Sequence, residues 1–260
     1  MHMKNIFKRY AAPFVMCSIL LITLVSSCAK DDYYIDGGKA NPVYNGTVLQ
    51  YLQSNDKFDT IAQIVKLAGL EDVFNKEDIT FFAPTDEVVR RTIGLVNTSL
   101  PNLGNRLNQD LYNQNKDTIK VLSDVPTEIW RKYLLKYVFK GKFKLKDYPQ
   151  LDFNLRALFP GGYYYGYNSD LANIGVVFNS ANGVKYTGYR QLSISTLPDP
   201  SNPQQLNTAA VATSDIQPTN GVVHVLAVFT GGNIGETYPQ EAANRFGLGY
   251  DFARDVVLSK

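Results

Sequence analysis

The sequence predicts an α+β fold, because segments with helical periodicity and segments with strand-like alternation occur in separate parts of the chain. Apolar residues recur with helical spacing from Thr47 to Leu70 and again after Thr127. From Phe143 onward the period changes to two, which is typical of strands. One apolar segment, residues 79–83, lies among the helices and is predicted to be a buried strand.

Two helices are predicted before this strand. The first begins at Thr47 and places three apolar residues on one face: Val48, Leu49 and Leu52. The second begins near Asp56 and runs to Leu70, with Gly69 placed to end it. Its apolar residues keep helical spacing: Ile61, Ile64, Val65 and Ala68.

The strand at 79–83 leads directly into a third helix. Pro84 ends the strand because it has no N–H to give to a ladder. Thr85 is placed to cap a helix over residues 86–95. Asp86 and Glu87 then lie in its first turn, where carboxylates suit the positive end of the helix dipole.

A polar segment separates this helix from the next. Residues 97–125 are rich in asparagine and contain proline and glycine, so they are predicted to be an insertion rather than part of the core. Thr127 then caps an amphipathic helix that Gly141 ends. Three of its apolar residues stack at i, i+4 and i+8: Trp130, Leu134 and Val138.

The second half of the chain is predicted to be mainly strands, at residues 175–179, 184–189, 191–196, 209–213 and 222–229. Asn182-Gly183 is the clearest hairpin signal. Asn220-Gly221 is a turn that begins the last strand, which is apolar on both faces and therefore predicted to be central and covered. No internal repeat is visible, which favours a single domain.

Residues 80–89 and 220–229 resemble the two signature segments of the fasciclin (FAS1) domain family. The resemblance implies a β-sandwich or wedge with helices packed along it, in one domain over residues 45–230 with insertions near 97–125 and 155–172. It implies an extracellular, adhesive function and no enzymatic activity. It also implies a structural role for the residues of both segments: Thr80, Phe82, Ala83, Pro84, Thr85, Asp86, Asn220, Gly221 and His224.

A third segment, residues 134–141, is similar to the family only in part. In the family it carries a Tyr-His pair that is linked in animal members to integrin binding. Here Lys136 and Tyr137 replace that pair, and Lys140 stands where proline is usual. We therefore do not expect integrin-type recognition, whereas the helix and the glycine after it match.

Residues 1–27 have the features of a secretory signal peptide, with a basic start and an apolar stretch over 14–25 that is short for a membrane span. Small residues directly before Cys28 resemble the lipobox of bacterial lipoproteins, which implies acylation of Cys28. The alternative is an ordinary signal peptide with a chance cysteine.

Lys30, Asp31 and Asp32 resemble the export signal of Bacteroidota surface lipoproteins, although short acidic tethers also arise by chance. Residues 28–44 are thus predicted to be a flexible tether to the outer membrane, with the domain facing the cell exterior.

Charge and cysteine content exclude further classes of function. Removal of residues 1–27 takes away three basic residues, so the formal charge falls from +2 to about −1. Nucleic acid requires a basic face, and we expect no such partner. Of the two cysteines, Cys17 is removed and Cys28 is acylated, which leaves no disulfide or thiol nucleophile. No phosphate-binding loop is present, and no cofactor is expected.

Histidine content argues against catalysis. His2 lies in the signal peptide, so His224 is the single histidine expected in the mature chain. A Ser-His-Asp triad and a multi-histidine metal site therefore cannot be built, and no metal is expected. His224 lies on the same face of the predicted strand as Val222, Leu226 and Val228, all apolar, which favours a hydrogen-bonded structural histidine. Asp86 could act as an acid–base group or a metal ligand, but its position at a helix start favours capping. Three pairs of adjacent acids are present, but such pairs on turns are usually solvated, so a glycoside hydrolase is disfavoured: Glu71-Asp72, Glu77-Asp78 and Asp86-Glu87.

Four tyrosines among glycines are the candidates for ligand contact: Tyr163, Tyr164, Tyr165 and Tyr167. They cannot all be buried in a regular element, so a loop or hairpin tip is predicted. Exposed rings can stack on sugars or anchor a protein interface. The alternative, that the rings pack over the sheet, remains open.

The sequence thus predicts an outer-membrane lipoprotein whose domain is a non-enzymatic adhesion or binding module for a protein or polysaccharide at the cell surface. The alternative is a glycan-binding accessory protein of a nutrient-uptake system that uses the tyrosine segment. Residues 231–260 form a C-terminal extension without a predicted role, with short helices at 239–246 and 252–258.

Overall fold

The computed structural model describes residues 41–97, 107–197, 206–228 and 246–260, so Cys28 and the predicted tether up to residue 40 lie outside this part. The helices of the described residues are α1 (Val48–Gln53), α2 (Asp59–Leu67), α3 (Glu71–Lys76), α4 (Asp86–Ile93), α5 (Leu107–Asn113), α6 (Thr127–Leu134) and α7 (Tyr250–Ser259). The strands are β1 (Ile79–Ala83), β2 (Val138–Lys140), β3 (Gln150–Leu151), β4 (Gly162–Tyr165), β5 (Leu171–Phe178), β6 (Arg190–Thr196), β7 (Asn207–Ile216) and β8 (Gly221–Leu226). The α+β class is confirmed.

The strands form one curled sheet in the order β2-β1-β8-β7-β6-β5-β3, with β4 also paired to β5. The β1–β8 and β3–β5 pairs are parallel and the others are antiparallel. β7 pairs with β6 through its first half and with β8 through its second half, where its register shifts twice. Such irregularities bend a strand, so β7 joins two differently oriented halves of the sheet.

The two ends of the sheet approach each other and form a half-barrel. The backbone N–H of Tyr167, in the turn after β4, donates to the carbonyl oxygen of Val138 in β2 at 2.7 Å. Lys136 forms an ion pair of 2.6 Å with Asp170 of the same turn. These contacts hold the β4–β5 hairpin against the opposite end of the sheet.

β1 is a buried strand, as predicted, and all five of its residues are buried. Phe81 packs edge-on against Phe74, with ring centroids 4.9 Å apart, and Phe82 packs in the same way against Phe139 at 5.6 Å. Full burial of a phenylalanine side chain contributes about 2–3 kcal/mol. These ring contacts therefore stabilise the packing of β1 against α3 and β2.

The predicted helices around β1 are confirmed, with differences at their ends. Thr47 caps α1 through a capping box with Gln50. α2 begins at Asp59 rather than near Asp56, and Gly69 follows it with a φ of +62°, a conformation that glycine adopts without strain. The six-residue α3 was not predicted, because so short a segment shows little periodicity.

The prediction that Val138 continues the helix of Trp130 and Leu134 is wrong. α6 ends at Leu134, residues 135–137 form a 3₁₀ turn, and Val138 begins β2, where it pairs with Phe81. Val138 is buried in either arrangement, so its apolar character could not distinguish a strand from a helix.

Four of the five strands predicted in the second half are confirmed with shifted ends, whereas residues 184–189 do not form a strand. Asn182 and Gly183 have φ values of +51° and +76°, and Ala181 and Val184 are bridged across them, which gives the predicted tight turn. The chain then turns again at Tyr186, where φ is +64°. The alternation in this segment is therefore that of a hairpin tip.

The prediction that residues 97–125 lie outside the core is wrong for residues 107–125. Leu107 and Leu111 of α5 are fully buried. The side-chain amide of Asn108 donates to the carbonyl oxygens of Gly94 and Ile119, and its oxygen accepts the N–H of Ile119. The sequence analysis did not predict α5, because only two apolar residues at helical spacing, Leu107 and Leu111, stand in an otherwise polar segment.

The C-terminal segment is part of the core. The predicted helix at 252–258 is confirmed as α7, while the one predicted at 239–246 lies almost wholly outside the described residues. Phe252 packs against Trp130 and Tyr133 of α6, with centroids 5.0 and 5.3 Å apart. Within the described ranges, no helix is both long enough and apolar enough to cross a bilayer.

Candidate functional site

The residues singled out in the sequence fall into two places: the strand pair β1–β8 with the residues that flank it, and β4 with the turn that follows it. β1 and β8 are parallel neighbours, with Phe82 opposite His224. The polar side chains of both segments are therefore spread along one strand pair, with Asn220 before its start, Thr80 and His224 within it and Asp86 after its end.

Asn220 connects the start of β8 to two helices. Its side-chain oxygen accepts the N–H of Val48 at the start of α1, at 2.8 Å. Its amide donates to the carbonyl oxygens of Phe74 and Glu77 at the end of α3, at 3.2 and 2.9 Å. These are backbone groups that helix ends leave without intrahelical partners, so Asn220 caps two helices at once.

Gly221 is required by space rather than by backbone conformation. A Cβ atom at this position would lie 2.5 Å from the carbonyl oxygen of Ile79 and 2.7 Å from a methyl group of Val48. The absence of a side chain lets β8 approach both β1 and α1.

Asp86 caps a neighbouring helix. It is the first residue of α4, but its carboxylate accepts the N–H groups of Thr60 at 3.0 Å and Ile61 at 3.2 Å in α2. The N–H of Asp86 donates to the carbonyl oxygen of Lys57 at 2.9 Å. Asp86 thus holds α4 and the start of α2 together, and its charge suits the positive end of the α2 dipole.

The predicted cap by Thr85 is confirmed in position only. Thr85 is the N-cap residue of α4, with extended backbone after Pro84, but its side chain makes no capping hydrogen bond. The start of α4 is instead held by the hydrogen bond from the N–H of Asp86 to the carbonyl oxygen of Lys57, which lies just before α2.

Thr80 and His224 hold the segment that follows β2. The Thr80 hydroxyl donates to the carbonyl oxygen of Gly141 and accepts the N–H of Phe143, both at 2.8 Å. His224 Nε2 donates to the carbonyl oxygen of Phe143 at 3.0 Å, and Nδ1 accepts the N–H of Asp215 at 3.2 Å. Because a carbonyl only accepts and an amide only donates, these partners require the neutral imidazole with its proton on Nε2.

His224 is fully buried, between the rings of Phe82 and Tyr148. Burial lowers the pKa of His224 from 6.5 to about 4, although the hydrogen bond to Phe143 and the nearby carboxylate of Asp215 act in the opposite direction. The imidazole is therefore neutral at physiological pH. With no exposed surface and both nitrogens bonded to backbone groups, it is not placed to exchange protons with a substrate.

Asp215 is a structural residue that the sequence analysis missed. Its carboxylate accepts the N–H of Leu145 at 2.7 Å, and its own N–H bonds to His224. It has a φ of +64° within the irregular part of β7. No sequence pattern indicates this role, because the bonded residues are 70 positions apart in the chain.

The four tyrosines do not form one surface. Tyr163 and Tyr165 project from the same side of β4 and are 45% and 73% exposed. Tyr164 projects from the opposite side and packs against Tyr148, with centroids 5.3 Å apart. Tyr167 lies in the following turn, where its hydroxyl donates to Glu77 at 2.9 Å and the amine of Lys140 lies 5.0 Å from its ring centroid. Tyr164 and Tyr167 therefore serve packing, and only two rings are available to a ligand.

A guanidinium lies beside the exposed pair. Arg156, in the turn before β4, donates to the hydroxyl of Tyr163 at 3.3 Å. Leu155 and Leu158 of the same turn are also exposed. Aromatic, aliphatic and basic side chains thus lie together on this part of the surface.

No group of three or more histidine, cysteine or acidic side chains with the spacing of a metal site occurs among the described residues. Cys28, the predicted acylation site, belongs to the residues that the structure does not describe.

Comparisons with known proteins give one family. A model of the fasciclin domain matches residues 56–228. No curated protein matches the chain in sequence. Among solved structures, the chain is similar to a FAS1 domain pair from the insect cell adhesion molecule fasciclin I, at 15% sequence identity and a TM-score of 0.43. That similarity covers 70% of this chain and 49% of the other, so this chain spans about half the length of the insect structure.

Proposed function

Because this chain belongs to the fasciclin domain family, we propose that it is a non-enzymatic adhesion or binding module. Fasciclin domains are associated with cell adhesion and are typically non-enzymatic. One observation carries the proposal for this chain: four polar side chains of the two segments, those of Thr80, Asp86, Asn220 and His224, bond backbone groups. Asp86, Asn220 and His224 together hold helix ends and one loop.

We further propose that acylation of Cys28 anchors the chain in the outer membrane, with the domain on the outside of the cell. Two features of the sequence support this: the small residues before Cys28 and the polar residues after it. Several acyl chains at about 0.8 kcal/mol per buried CH₂ would make the anchor effectively permanent. The ligand would then be a protein or a polysaccharide at the cell surface.

Protease shaving of intact cells tests this location. The wild-type domain should be degraded by external protease, and Cys28→Ser should release the protein from the membrane fraction, because serine cannot carry the thioether-linked lipid. Adherence of the same cells to a surface coated with envelope proteins or envelope polysaccharides then tests the adhesive role. Protection of the domain in intact cells, or unchanged adherence after loss of the anchor, would contradict the proposal.

The alternative function, glycan capture for nutrient uptake, is supported by the exposed pair Tyr163 and Tyr165, since ring faces stack on sugars. Its test is retention on polysaccharide affinity gels. Tyr163→Ala with Tyr165→Ala should abolish retention. The matched control is Tyr112→Ala with Tyr250→Ala, because those rings on α5 and α7 are 52% and 72% exposed. Equal retention of both double variants would exclude these two rings as a glycan platform.

A further inference from the structure

A groove of about 860 Å³ lies between α2 and the segment that follows α5. Its apolar lining comes from three parts of the chain: Leu67, Ile93, Ile119, Val121 and Leu122. The volume is in the range of protein ligand sites, which run from about 300 to 1,000 Å³. None of the motifs discussed above uses this groove.

One wall of the groove, formed by residues 119–123, is held in place by hydrogen bonds within the protein. The carboxylate of Asp124 accepts the N–H groups of Lys120 at 2.7 Å and Val121 at 3.0 Å, and these bonds lower the pKa of Asp124. The indole N–H of Trp130 donates to the carbonyl oxygen of Leu122 at 2.9 Å. The wall is therefore formed before any ligand arrives, which reduces the entropic cost of binding.

Two lysines flank this apolar surface. Lys66 of α2 and Lys120 of the wall both line the groove, and both side chains are exposed. Neither amine forms an ion pair within the described part of the chain. An occupant that combines apolar side chains with carboxylates would complement both the lining and the charge.

We propose that this groove binds an extended segment of a partner protein that carries aliphatic side chains next to at least two carboxylates. The proposal names a partner class for the binding role proposed above and rests on that role. No aromatic ring is present in the lining formed by the described residues, which disfavours sugars because they stack on ring faces. The open shape of the groove along α2 suits a peptide chain.

The test begins with a phage-displayed library of random dodecapeptides, selected against the full-length chain in detergent. The enriched peptides should contain at least two acidic residues around an aliphatic core. The best of them is then synthesised with a fluorescent label, and its affinity is measured by fluorescence anisotropy at low and high salt. Binding should weaken as salt rises, because the lysine–carboxylate pairs are exposed.

Charge reversal identifies the lysines. Lys66→Glu with Lys120→Glu should weaken binding by about tenfold or more, since two attractive pairs become repulsive. The matched control is Lys146→Glu with Lys185→Glu, which changes the net charge equally at exposed lysines outside the groove. The control should bind as the wild type does.

A second pair of variants tests the apolar surface. Val121→Asp should abolish binding, whereas Val184→Asp should not, and both valines are 57% exposed in the folded chain. Enrichment of peptides without carboxylates, no enrichment, or equal loss in a variant and its control would overturn the proposal. Adhesion that persists in cells carrying the groove variants would leave the proposed function standing and exclude only this site.

Discussion

His224 is neutral in the folded protein because its burial and its two backbone partners favour the uncharged ring. Protonation would put a charge into the core and break the bond from the N–H of Asp215. The side chain therefore links the stability of the segment after β2 to pH.

Stability should fall as the pH falls through the interval between the two pKa values of His224. The imidazole titrates near 6.5 in the unfolded chain and at about 4 in the fold. Between these values the unfolded state binds more protons, so the free energy of unfolding decreases by about 3 kcal/mol from pH 6.5 to pH 4. Urea unfolding of the wild type and His224→Gln across this interval measures the difference. Parallel pH profiles of the two proteins would contradict the assignment.

Gly221 provides a second prediction for a single residue. Gly221→Ala should lower the free energy of unfolding by about 1–3 kcal/mol, because the new methyl group meets the backbone of Ile79 and the side chain of Val48. Gly166→Ala is the control, since its Cβ would meet no atom closer than 3.3 Å. Thermal unfolding of both variants measures the effect, and equal melting temperatures would refute the packing argument.

Among the elements, α2 and α4 are joined by a carboxylate that belongs to one helix and caps the other. The two N–H groups that Asp86 satisfies come from Thr60 and Ile61, and both lie in the first turn of α2. Asp59 begins that helix without a side-chain cap from the preceding residue, Phe58. The start of α2 thus depends on a partner that is distant in sequence.

Asp86→Ala should therefore destabilise the domain by about 1–2 kcal/mol, which is the cost of losing a helix cap. Asp86→Asn should recover part of this loss, since its amide oxygen still accepts a hydrogen bond. Asp56→Ala is a matched control, because Asp56 is exposed and precedes the same helix. Urea unfolding measures all three variants. A control as unstable as Asp86→Ala would point to general charge effects instead of capping.

The molecule as a whole extends beyond the family match, which ends at residue 228. Tyr137 donates to the carbonyl oxygen of Phe246 at 2.7 Å and accepts the N–H of Leu248 at 2.8 Å. Thr92 also donates to Leu248, at 3.0 Å. The C-terminal segment is therefore fastened to α4 and to the turn after α6, in addition to the packing of Phe252.

The single tryptophan of the chain reports this docking, because Trp130 packs directly against Phe252. Phe252→Ala should shift its fluorescence to longer wavelength and destabilise the domain by about 3–5 kcal/mol, through the lost burial and the cavity left behind. Leu258→Ala, at a residue of α7 that is 73% exposed, should change neither property. An unshifted spectrum for Phe252→Ala would mean that α7 does not cover Trp130 in solution.

Local patterns were sufficient to predict much of the fold. The class, the buried strand β1, the helices α1, α2 and α4 and the turn at Asn182-Gly183 follow from periodicity and from residues with strong backbone preferences. The boundary between α6 and β2 does not, because an apolar residue such as Val138 is buried in either structure. The strand β3 was not predicted because it has only two residues, which are too few to show an alternating pattern.

The sequence alone therefore determined the class, the order of the main elements and the resemblance that the family match confirms. The tertiary structure alone decided which helix Asp86 caps, which two of four tyrosines are exposed and where the C-terminal segment packs. The physical reason is that periodicity and turn preferences act between residues a few positions apart. Hydrogen bonds and packing contacts join residues separated by tens of positions, and these depend on how the whole chain is folded.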